Sequence, residues 1–341
     1  MSGTIKKNYL VPMSGLYGIG MAAACAIGLT GFAQSAQATL LHEYSFNSGT
    51  ISNGSYYTPD SIGGASYQAT IMGTGGLSGG QVTLTNNNVQ SGQAGLAYVS
   101  LPVSALPTTS PTVSFEEWFT GSYDYQSGTS GSVYAQNRGF DFNNDTLATA
   151  TDAQTASPNQ TTGSYLFQAL DTGNGSGAGI SAAGWGSGSA LNTGYVAPGS
   201  PNYYSHDWLT QPGSNGQPLA HMIAVVIDQT PTVAAPDGTL TYYVDGIQFG
   251  SVNLTAANQW TAVAPTFTNA WLGRSAFNTD GVFNGTIDEF RIYNNALSAS
   301  QVAADAAAGP NTVLTPEPAS LALFGLAGAS LLLIRRRRAA V

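Results

Sequence analysis

Two pairs of adjacent carboxylates are the residues in this sequence whose types most readily suggest chemistry. Glu116 and Glu117 stand together in TVSFEEWFT, and Asp288 and Glu289 stand together in GTIDEF. A retaining glycoside hydrolase needs two carboxyl groups about 5–5.5 Å apart, one as nucleophile and one as acid and base. Neighbouring residues of a strand point to opposite faces, so neither pair meets this requirement by itself. A glycoside hydrolase is therefore only a third alternative, and no catalytic residue is predicted.

Aromatic side chains are the candidates for sugar binding, because their rings stack on pyranose rings while polar groups bond to the hydroxyls. The predicted ligand-binding residues are Trp118, Trp185, Tyr203, Tyr204, Trp208 and Tyr243. Trp185 and the run NYYSHDWL fall in predicted loops, where such residues often serve binding. Trp118 shares a strand face with Glu116 and is placed on the concave surface of a sheet. The alternative for each is a structural role, which is the one we assign to Trp271.

One acidic run is similar to a calcium-binding loop. DFNNDTLATATD, at 141–152, has oxygen-bearing side chains at its first, third and fifth positions. It lacks the glycine of an EF-hand and ends in aspartate where that loop has glutamate. Phe140 and Phe142 fit an ordinary strand instead. The histidines are widely spaced and the single cysteine, Cys25, lies in an apolar stretch, so no zinc site or disulfide framework is predicted.

The distribution of charge excludes nucleic-acid binding. Only 8% of the 341 residues are charged, against about 25% in a typical soluble protein. Of nine basic residues, two lie near the N-terminus and four in the C-terminal tail. The remaining three face 18 acidic residues, which gives the middle of the chain a net charge of −15. Nucleic-acid binding needs clustered lysine or arginine, and the middle of the chain has no such cluster.

The N-terminus predicts export. Lys6 and Lys7 precede an apolar stretch, which is followed by AQSAQA. A basic region, an apolar region and a small-residue cleavage site are the three parts of a secretory signal peptide. Ala36 and Ala38 are the small residues at the predicted site, so residues 1–38 are the predicted signal peptide. The alternative is a transmembrane anchor.

The C-terminus predicts a second membrane-directed segment. Residues 319–334 carry no charge, and Arg335, Arg336, Arg337 and Arg338 follow them. As a helix this run would span about 24 Å, somewhat less than the hydrocarbon core of about 30 Å. By the positive-inside rule the arginines stay in the cytoplasm and the bulk of the protein lies outside. We expect a transmembrane helix here.

Pro316, Glu317 and Pro318, the apolar run and the arginine cluster together resemble the PEP-CTERM sorting signal of Gram-negative bacteria. The resemblance implies that a membrane protease of the exosortase type cleaves near Pro-Glu-Pro and releases or transfers the protein. Residues 311–341 are therefore the predicted linker and sorting segment. We expect a precursor anchored in the inner membrane and then a protein of the cell envelope, the outer surface or the extracellular space.

Between the two ends the apolar residues recur with a period of two, which indicates β-strands. TVSFEEWFT places Phe115, Glu117 and Phe119 on one face, and MIAVVID is a nearly continuous apolar strand. LTYYVDGIQFGSVNL predicts a hairpin with a type I′ turn at Asp245 and Gly246. GTIDEFRIY is one more strand.

LSASQVAADAAAGP predicts a helix. Ser298 is its N-cap, Gln301 completes a capping box, and Gly309 ends it. Its small residues suit a closing element of the domain.

Several stretches resemble laminin-G-like domains of the concanavalin A-like superfamily. They are HEYSFN, DSIGG, VSFEEWF, YYVDGIQFGS and WLGRSAFNTDGVFNGTIDEFRIYNNALSASQV. The resemblance implies an all-β jelly roll of two antiparallel sheets packed face to face, one of them concave, with one short C-terminal helix. The predicted domain is 39–310, with Gly/Ser-rich loops or irregular extra strands at about 121–163 and 171–218.

The same resemblance implies a structural calcium ion held by Asp60 and by Asp288 or Glu289. The alternative is that the aspartates only cap turns. It also implies a lectin-like, non-enzymatic protein that binds polysaccharide or matrix glycans. A purely structural surface or biofilm protein without a specific ligand remains the competing interpretation.

Overall fold

The computed structural model describes residues 39–52, 55–86, 89, 91–121, 137–145, 147–148, 153–154, 163–169, 177–181, 191–193, 220–278 and 280–314. They belong to one unit, Ala38–Pro316. The predicted signal peptide, the sorting tail from Thr315 onward, and Trp185, Tyr203, Tyr204 and Trp208 lie outside the described residues. Within these ranges no helix has the length and apolar composition needed to cross a membrane. The domain boundaries at 39 and 310 stay predictions.

The described strands form two large antiparallel sheets and a short hairpin. In order across the first sheet, they are β17 (Ile247–Asn253), β16 (Thr239–Val244), β15 (Ala220–Asp228), β8 (Thr112–Gly121), β19 (Gly285–Tyr293), β6 (Gln81–Leu84) and β5 (Gly76–Ser78), with β1 (Leu40–Tyr44) also paired to β19. The second sheet has the order β14 (Leu191–Thr193), β13 (Gly177–Ser181), β12 (Tyr165–Ala169), β9 (Arg138–Asn143), β18 (Asn269–Leu272), β7 (Tyr98–Leu101), β4 (Gly64–Met72), β3 (Ser55–Asp60) and β2 (Thr50–Ser52). The hairpin joins β10 (Leu147–Ala148) to β11 (Ala153–Gln154).

Helical segments are few in the described part of the chain. The α-helices are α1 (Trp260–Val263) and α2 (Ala299–Ala308), and the 3-10 turns are Val103–Ala105, Ala256–Asn258 and Ala264–Thr266. The all-β, two-sheet prediction is confirmed.

The core lies between the two sheets, where alternate residues of each strand meet. Phe115 of β8 contacts Phe142 of β9 with ring centroids 5.1 Å apart, and Phe140 at 5.7 Å. Phe290 of β19 lies 5.6 Å from Phe140 in an edge-to-face arrangement. Such aromatic pairs contribute about 0.5–1.5 kcal/mol beyond the area they bury. The predicted inward face of β8 is therefore confirmed, and so is the strand at Phe140 and Phe142.

The opposite, outer face of the first sheet is covered by α2. Trp118, Met222, Tyr243 and Tyr293 project from four strands and pack with Val302 of the helix. The predicted cap is confirmed, because Ser298 accepts from the Gln301 N–H and its own N–H donates to the Gln301 side chain. The helix thus gives the first sheet a second buried face.

The turn between β16 and β17 fixes how closely the helix approaches. Asp245 and Gly246 have φ values of 49° and 79°, which confirms the predicted type I′ turn. A Cβ atom at Gly246 would lie 2.9 Å from the Ala303 Cα and 3.0 Å from the Ala306 Cβ. Glycine is therefore required for the backbone conformation and also for the packing.

A β-bulge interrupts the alternation of β19. Ile287 pairs with Phe119 and Glu289 pairs with Trp118, which leaves Asp288 as the extra residue. Ile287 and Phe290 both reach the core although they are three positions apart. A bulge redirects a side chain in this way, so the simple alternation read from the sequence fails at Asp288.

The two Gly/Ser-rich stretches contribute strands to the second sheet. Arg138–Asn143 lies in the first of them and pairs with both β12 and β18. Gly177–Ser181 and Leu191–Thr193 lie in the other and pair with each other. Of the two interpretations, extra strands rather than loops describe these parts.

A carboxylate lies inside the sandwich. Glu117 is fully buried on the core face of β8, and within the described residues neither of its carboxylate oxygens has a hydrogen-bond partner. A Cβ at Gly139 of the facing sheet would overlap Glu117 and the Gln168 carboxamide, so the glycine makes room for both. Gln168 in turn donates to the Tyr242 hydroxyl at 2.9 Å. Burial raises the pKa of Glu117 to about 8, so the side chain is a neutral acid at pH values below that.

Replacing Gly246 by alanine should destabilise the domain more than the same change at Gly79. Gly79 has φ 64° and open space around its Cβ position, so Gly79→Ala should cost only the left-handed backbone term of about 1–2 kcal/mol. Gly246→Ala adds an overlap with α2 worth about 1–3 kcal/mol more. Urea unfolding of both variants measures the difference. Equal losses would contradict the tight helix contact.

Replacing Glu117 by glutamine should remove a pH dependence of stability. Because the folded-state pKa is raised, the folded protein retains a proton that the unfolded chain loses, and stability falls as the pH rises towards about 8. One unit of pKa shift corresponds to about 1.4 kcal/mol. Glu117→Gln should therefore match the wild type below about pH 4.5, become the more stable of the two as the pH rises from there, and exceed it by several kcal/mol above the folded pKa. Asp237→Asn, in the loop before β16, is the control. A stability difference that does not change with pH would refute the assignment.

Candidate functional site

A pocket of about 350 Å³ opens where α2 ends on the outer face of the first sheet. We call it the helix-end pocket. Its walls are Trp118, Ala220, His221, Met222, Asp245, Asp288, Ala303, Ala306, Ala307, Gly309 and Pro310. The volume is within the range of about 300–1,000 Å³ that is usual for small-molecule sites. Small residues of the helix and the side chains of three strand segments create this space together.

Asp245 enters the pocket wall because the type I′ turn holds it. Its Oδ1 accepts the Met222 backbone N–H at 2.9 Å, and its Oδ2 lies 2.8 Å from the His221 Nδ1. The side chain is still 45% exposed, whereas the His221 side chain is 7% exposed. The pair therefore presents an oriented carboxylate to solvent and keeps the imidazole behind it.

Asp288 enters the same wall because of the bulge in β19. The Gln81 side-chain amide donates to its Oδ1. Burial raises the pKa of Asp288 above its usual value, and the hydrogen bond from Gln81 only partly opposes this. Asp288 is therefore a partly desolvated carboxylate whose observed partner is neutral.

Two of the predicted ligand-binding aromatics, Trp118 and Tyr243, lie within the described residues. Of these two, Trp118 lines the pocket. Its side chain is only 4% exposed, and the Arg291 guanidinium lies 4.4 Å from its ring centroid. Tyr243 is buried in the cluster under α2 and does not line the pocket. We expected Trp118 on the concave surface of a sheet, but the structure places it under the helix.

Arg291 organises a group of carboxylates beneath α2. Its guanidinium lies 2.7 Å from Glu289, 3.9 Å from Glu116 and 4.0 Å from Asp305 of the helix. It also donates to the backbone carbonyl of Thr312 at 3.1 Å. Arg291 is therefore paired with acids from its own strand, the neighbouring strand and the helix.

Burial of this group shifts the pKa values of its carboxylates. The pKa of Glu116 is raised well above its usual value by burial and by Asp305, and Arg291 opposes the shift. The pKa of Glu289 is likewise raised by burial, with Arg291 lowering it and Glu43 raising it. Glu116 and Glu289 are both fully buried, so a sugar cannot reach them in this arrangement.

The three predicted calcium ligands lie in different environments. Asp60 accepts the N–H groups of Glu43, Ile62 and Gly63 through Oδ1 and contacts the His42 imidazole through Oδ2. Burial would raise the pKa of Asp60, but these hydrogen bonds lower it below its usual value.

Glu289 is bonded to Arg291 and to the Asn311 N–H, whereas Asp288 faces the pocket. Among the described residues no three His, Cys, Asp or Glu side chains converge as metal ligands. Calcium binding stays a prediction.

Buried charges also lie on the second sheet. Arg138 donates to Asp280 at 2.8 Å and sits 4.0 Å above the Phe167 ring. Burial raises the pKa of Asp141 to about 7, although Arg138 lowers it. Arg274 donates to the Ser91 carbonyl and lies over Tyr98 and Trp271. These groups are packed into the fold, and Trp271 is buried as expected.

Two residues of the pocket were missed as site candidates. The sequence identified Asp245 only as a turn residue, and it set His221 aside with the other scattered histidines. Their pairing depends on the register that places the end of β16 beside the start of β15. The turn prediction was the available signal, because a turn aspartate at the end of a hairpin has its side chain exposed.

Comparisons with known proteins agree with the fold. The family model described as the concanavalin A-like lectin/glucanases superfamily matches residues 127–303, more than half of the chain. The PEP-CTERM protein-sorting motif matches residues 314–338. No curated protein sequence matches the chain.

Solved structures of several proteins are similar to this chain at low sequence identity. Domain 4 of an extracellular arabinanase from Geobacillus stearothermophilus, in complex with arabinotriose, is 19% identical, with 79% of this chain and 98% of that one covered and a TM-score of 0.45. CBM40 of the IT-sialidase from Ruminococcus gnavus, bound to α2,6 sialyllactose, is 12% identical, with 58% and 84% covered and a TM-score of 0.38. The receptor-binding domain of botulinum neurotoxin type G is 14% identical, with 79% and 51% covered and a TM-score of 0.44.

The family match rests on sequence and agrees with the two-sheet sandwich, and the motif match explains the Pro-Glu-Pro, apolar and arginine segments at the C-terminus. The motif indicates an exported protein that is processed by an exosortase. The chain belongs to the concanavalin A-like lectin/glucanases superfamily and carries a PEP-CTERM protein-sorting motif.

Proposed function

We propose that this exported protein binds a polysaccharide or matrix glycan at the cell envelope or outside the cell, without acting on it chemically. The observation that supports this most is the helix-end pocket. It combines an apolar wall, formed by helix alanines and the largely buried Trp118, with the polar side chains of His221, Asp245 and Asp288 on a sandwich of the lectin superfamily. A mostly apolar wall with a few oriented polar groups is the usual composition of a ligand site.

Binding rather than hydrolysis is favoured by the placement of the carboxylates. Glu116 and Glu289 both lie near Arg291, but they are buried beneath α2. A hydrolase would need two carboxyl groups on either side of an accessible glycosidic bond. We therefore assign Glu116 and Glu289 to stability. The two carboxylates that do line the pocket already have partners, His221 and Met222 for Asp245 and Gln81 for Asp288, so we assign them to binding rather than to hydrolysis.

The full chain should bind at least one immobilised polysaccharide in a panel of neutral, acidic and amine-bearing polymers. Ala307→Phe should reduce that binding about tenfold or more, because Ala307 is exposed on the pocket wall and a phenyl ring would fill the space. Retention on each polymer, with and without a calcium chelator, is the measurement. Trp208→Ala tests the predicted aromatic loop in the same assay.

Ala304→Phe is the matched control, since Ala304 is exposed on the same helix but does not line the pocket. If only Trp208→Ala loses retention on the polysaccharides, the glycan site lies at the loop aromatics instead of the pocket. No retention on any polymer would refute glycan binding and favour a purely structural surface protein.

Processing of the tail should depend on the Pro-Glu-Pro element. Replacing Pro316, Glu317 and Pro318 by alanine should leave a longer, membrane-associated form, because the exosortase is proposed to recognise this element. Immunoblotting of membrane and extracellular fractions from cells that express an exosortase measures the result. Val313→Ala, a change just before the motif residues, is the control. Unchanged release of the triple variant would refute exosortase-dependent sorting.

A further inference from the structure

We propose that the helix-end pocket accepts the protonated amine of an amine-bearing sugar. The inference rests on the proposed glycan binding and specifies its chemistry. Two carboxylates, the negative end of a helix and an apolar wall converge on one cavity of about 350 Å³. The carboxylates and the helix end favour a cation over a neutral or acidic sugar, and the apolar wall favours an organic cation over a metal ion.

The charged side chains of the wall are of one sign. Asp245 and Asp288 line the pocket, and His221 is already paired with Asp245. All the lining residues belong to the described part of the chain, and neither lysine nor arginine is among them. The electrostatic field of the whole protein also favours a cation, because the chain between its basic ends has a net charge of −15. An acidic sugar would be repelled, and an ammonium group would be attracted.

The C-terminus of α2 adds a partial negative charge at the same place. Ala306, Ala307, Gly309 and Pro310 line the pocket, so the helix ends in its wall. The carbonyl end of a helix carries about half a negative charge. The last turn of α2 contains no basic residue to neutralise it. A ligand ammonium would fill the role that lysine or arginine has at other helix ends.

Asp288 provides a third, independent indication. It is partly buried, and its observed hydrogen-bond partner, the Gln81 amide, carries no charge. A partly desolvated carboxylate is stabilised by a cation within hydrogen-bond distance. The bulge in β19 is what directs this residue to the pocket, against the alternation of the strand.

The rest of the wall indicates an organic cation rather than a metal ion. Ala303 and Ala307, which are exposed, and the half-buried Ala306 offer apolar surface for the body of a sugar ring. In the described ranges no three metal-ligating side chains converge, whereas a calcium ion takes 6–8 oxygen ligands. One ammonium group facing two carboxylates and a helix end needs fewer ligands and uses the apolar wall as well.

The test is calorimetric titration of the full chain with oligomers of glucosamine and with N-acetylglucosamine oligomers of the same length. The titrations are done at about pH 6, where an amine is protonated. Acetylation removes the charge and keeps the sugar, so we expect the free amine form to bind at least tenfold more tightly. Equal affinity for the two forms would overturn the proposal.

Variants locate the binding. Asp288→Asn and Asp245→Asn keep the shape and hydrogen-bonding oxygen and remove one charge each, and each should weaken glucosamine binding about tenfold. Ala307→Phe should block it without a change of charge. Asp237→Asn, at the far end of β16 from Asp245, has the same net charge as the first two and should bind like the wild type. A similar loss in Asp237→Asn would show that only the overall acidity of the protein matters.

The assay also separates this proposal from the broader one. If Asp288→Asn and Ala307→Phe still bind neutral glycans, glycan recognition is supported and the amine pocket is rejected. In another outcome, the protein binds methylammonium but no glycan, and Asp288→Asn abolishes the methylammonium binding. That result would support the amine pocket and reject glycan recognition. Thermal melting of each variant shows whether a loss of binding comes from unfolding.

Discussion

The buried guanidinium of Arg291 is the interaction on which the outer side of the first sheet depends. It joins Glu289 of its own strand, Glu116 of the neighbouring strand and Asp305 of α2, and it reaches the carbonyl of Thr312 beyond the helix. Removing one partner of a buried charge group leaves the others uncompensated. Arg291 thus links α2 to the outer face of the sheet, and the packing of Val302 and Ala306 on the same face completes the placement of the helix.

The first sheet is therefore buried on both faces of its central strands, β8, β15 and β19, in chemically different ways. Its inner face is aromatic and aliphatic around Phe115 and tolerates Glu117 only as a neutral acid. Its outer face combines the ion group with Trp118 and the small residues of the helix. Alanines in α2 and Gly246 in the turn let the helix approach closely, and the approach ends at the pocket.

The pocket and the sorting tail lie near each other in sequence but serve different purposes. Gly309 and Pro310 line the pocket, and the sorting motif begins at residue 314. The short segment between them is bonded to Glu289 and Arg291. The proposed binding site is thus made by the part of the domain from which the processed tail emerges. The proposed glycan-binding pocket and the sorting motif therefore occupy adjacent segments of the chain.

The sequence alone determined the features that depend on neighbouring residues. These local patterns are the period of two in β8, the Asp245-Gly246 turn, the cap at Ser298 and the sorting tail. Where the structure or the comparisons test them, the predictions were correct. The tertiary structure decided three other features: the burial of Trp118 under α2, the bulge at Asp288, and the meeting of His221, Asp245 and Asp288. The reason is physical: alternation and turn chemistry act within a few residues, whereas the covering of a sheet face and the phase of a bulged strand depend on packing between segments far apart in the chain.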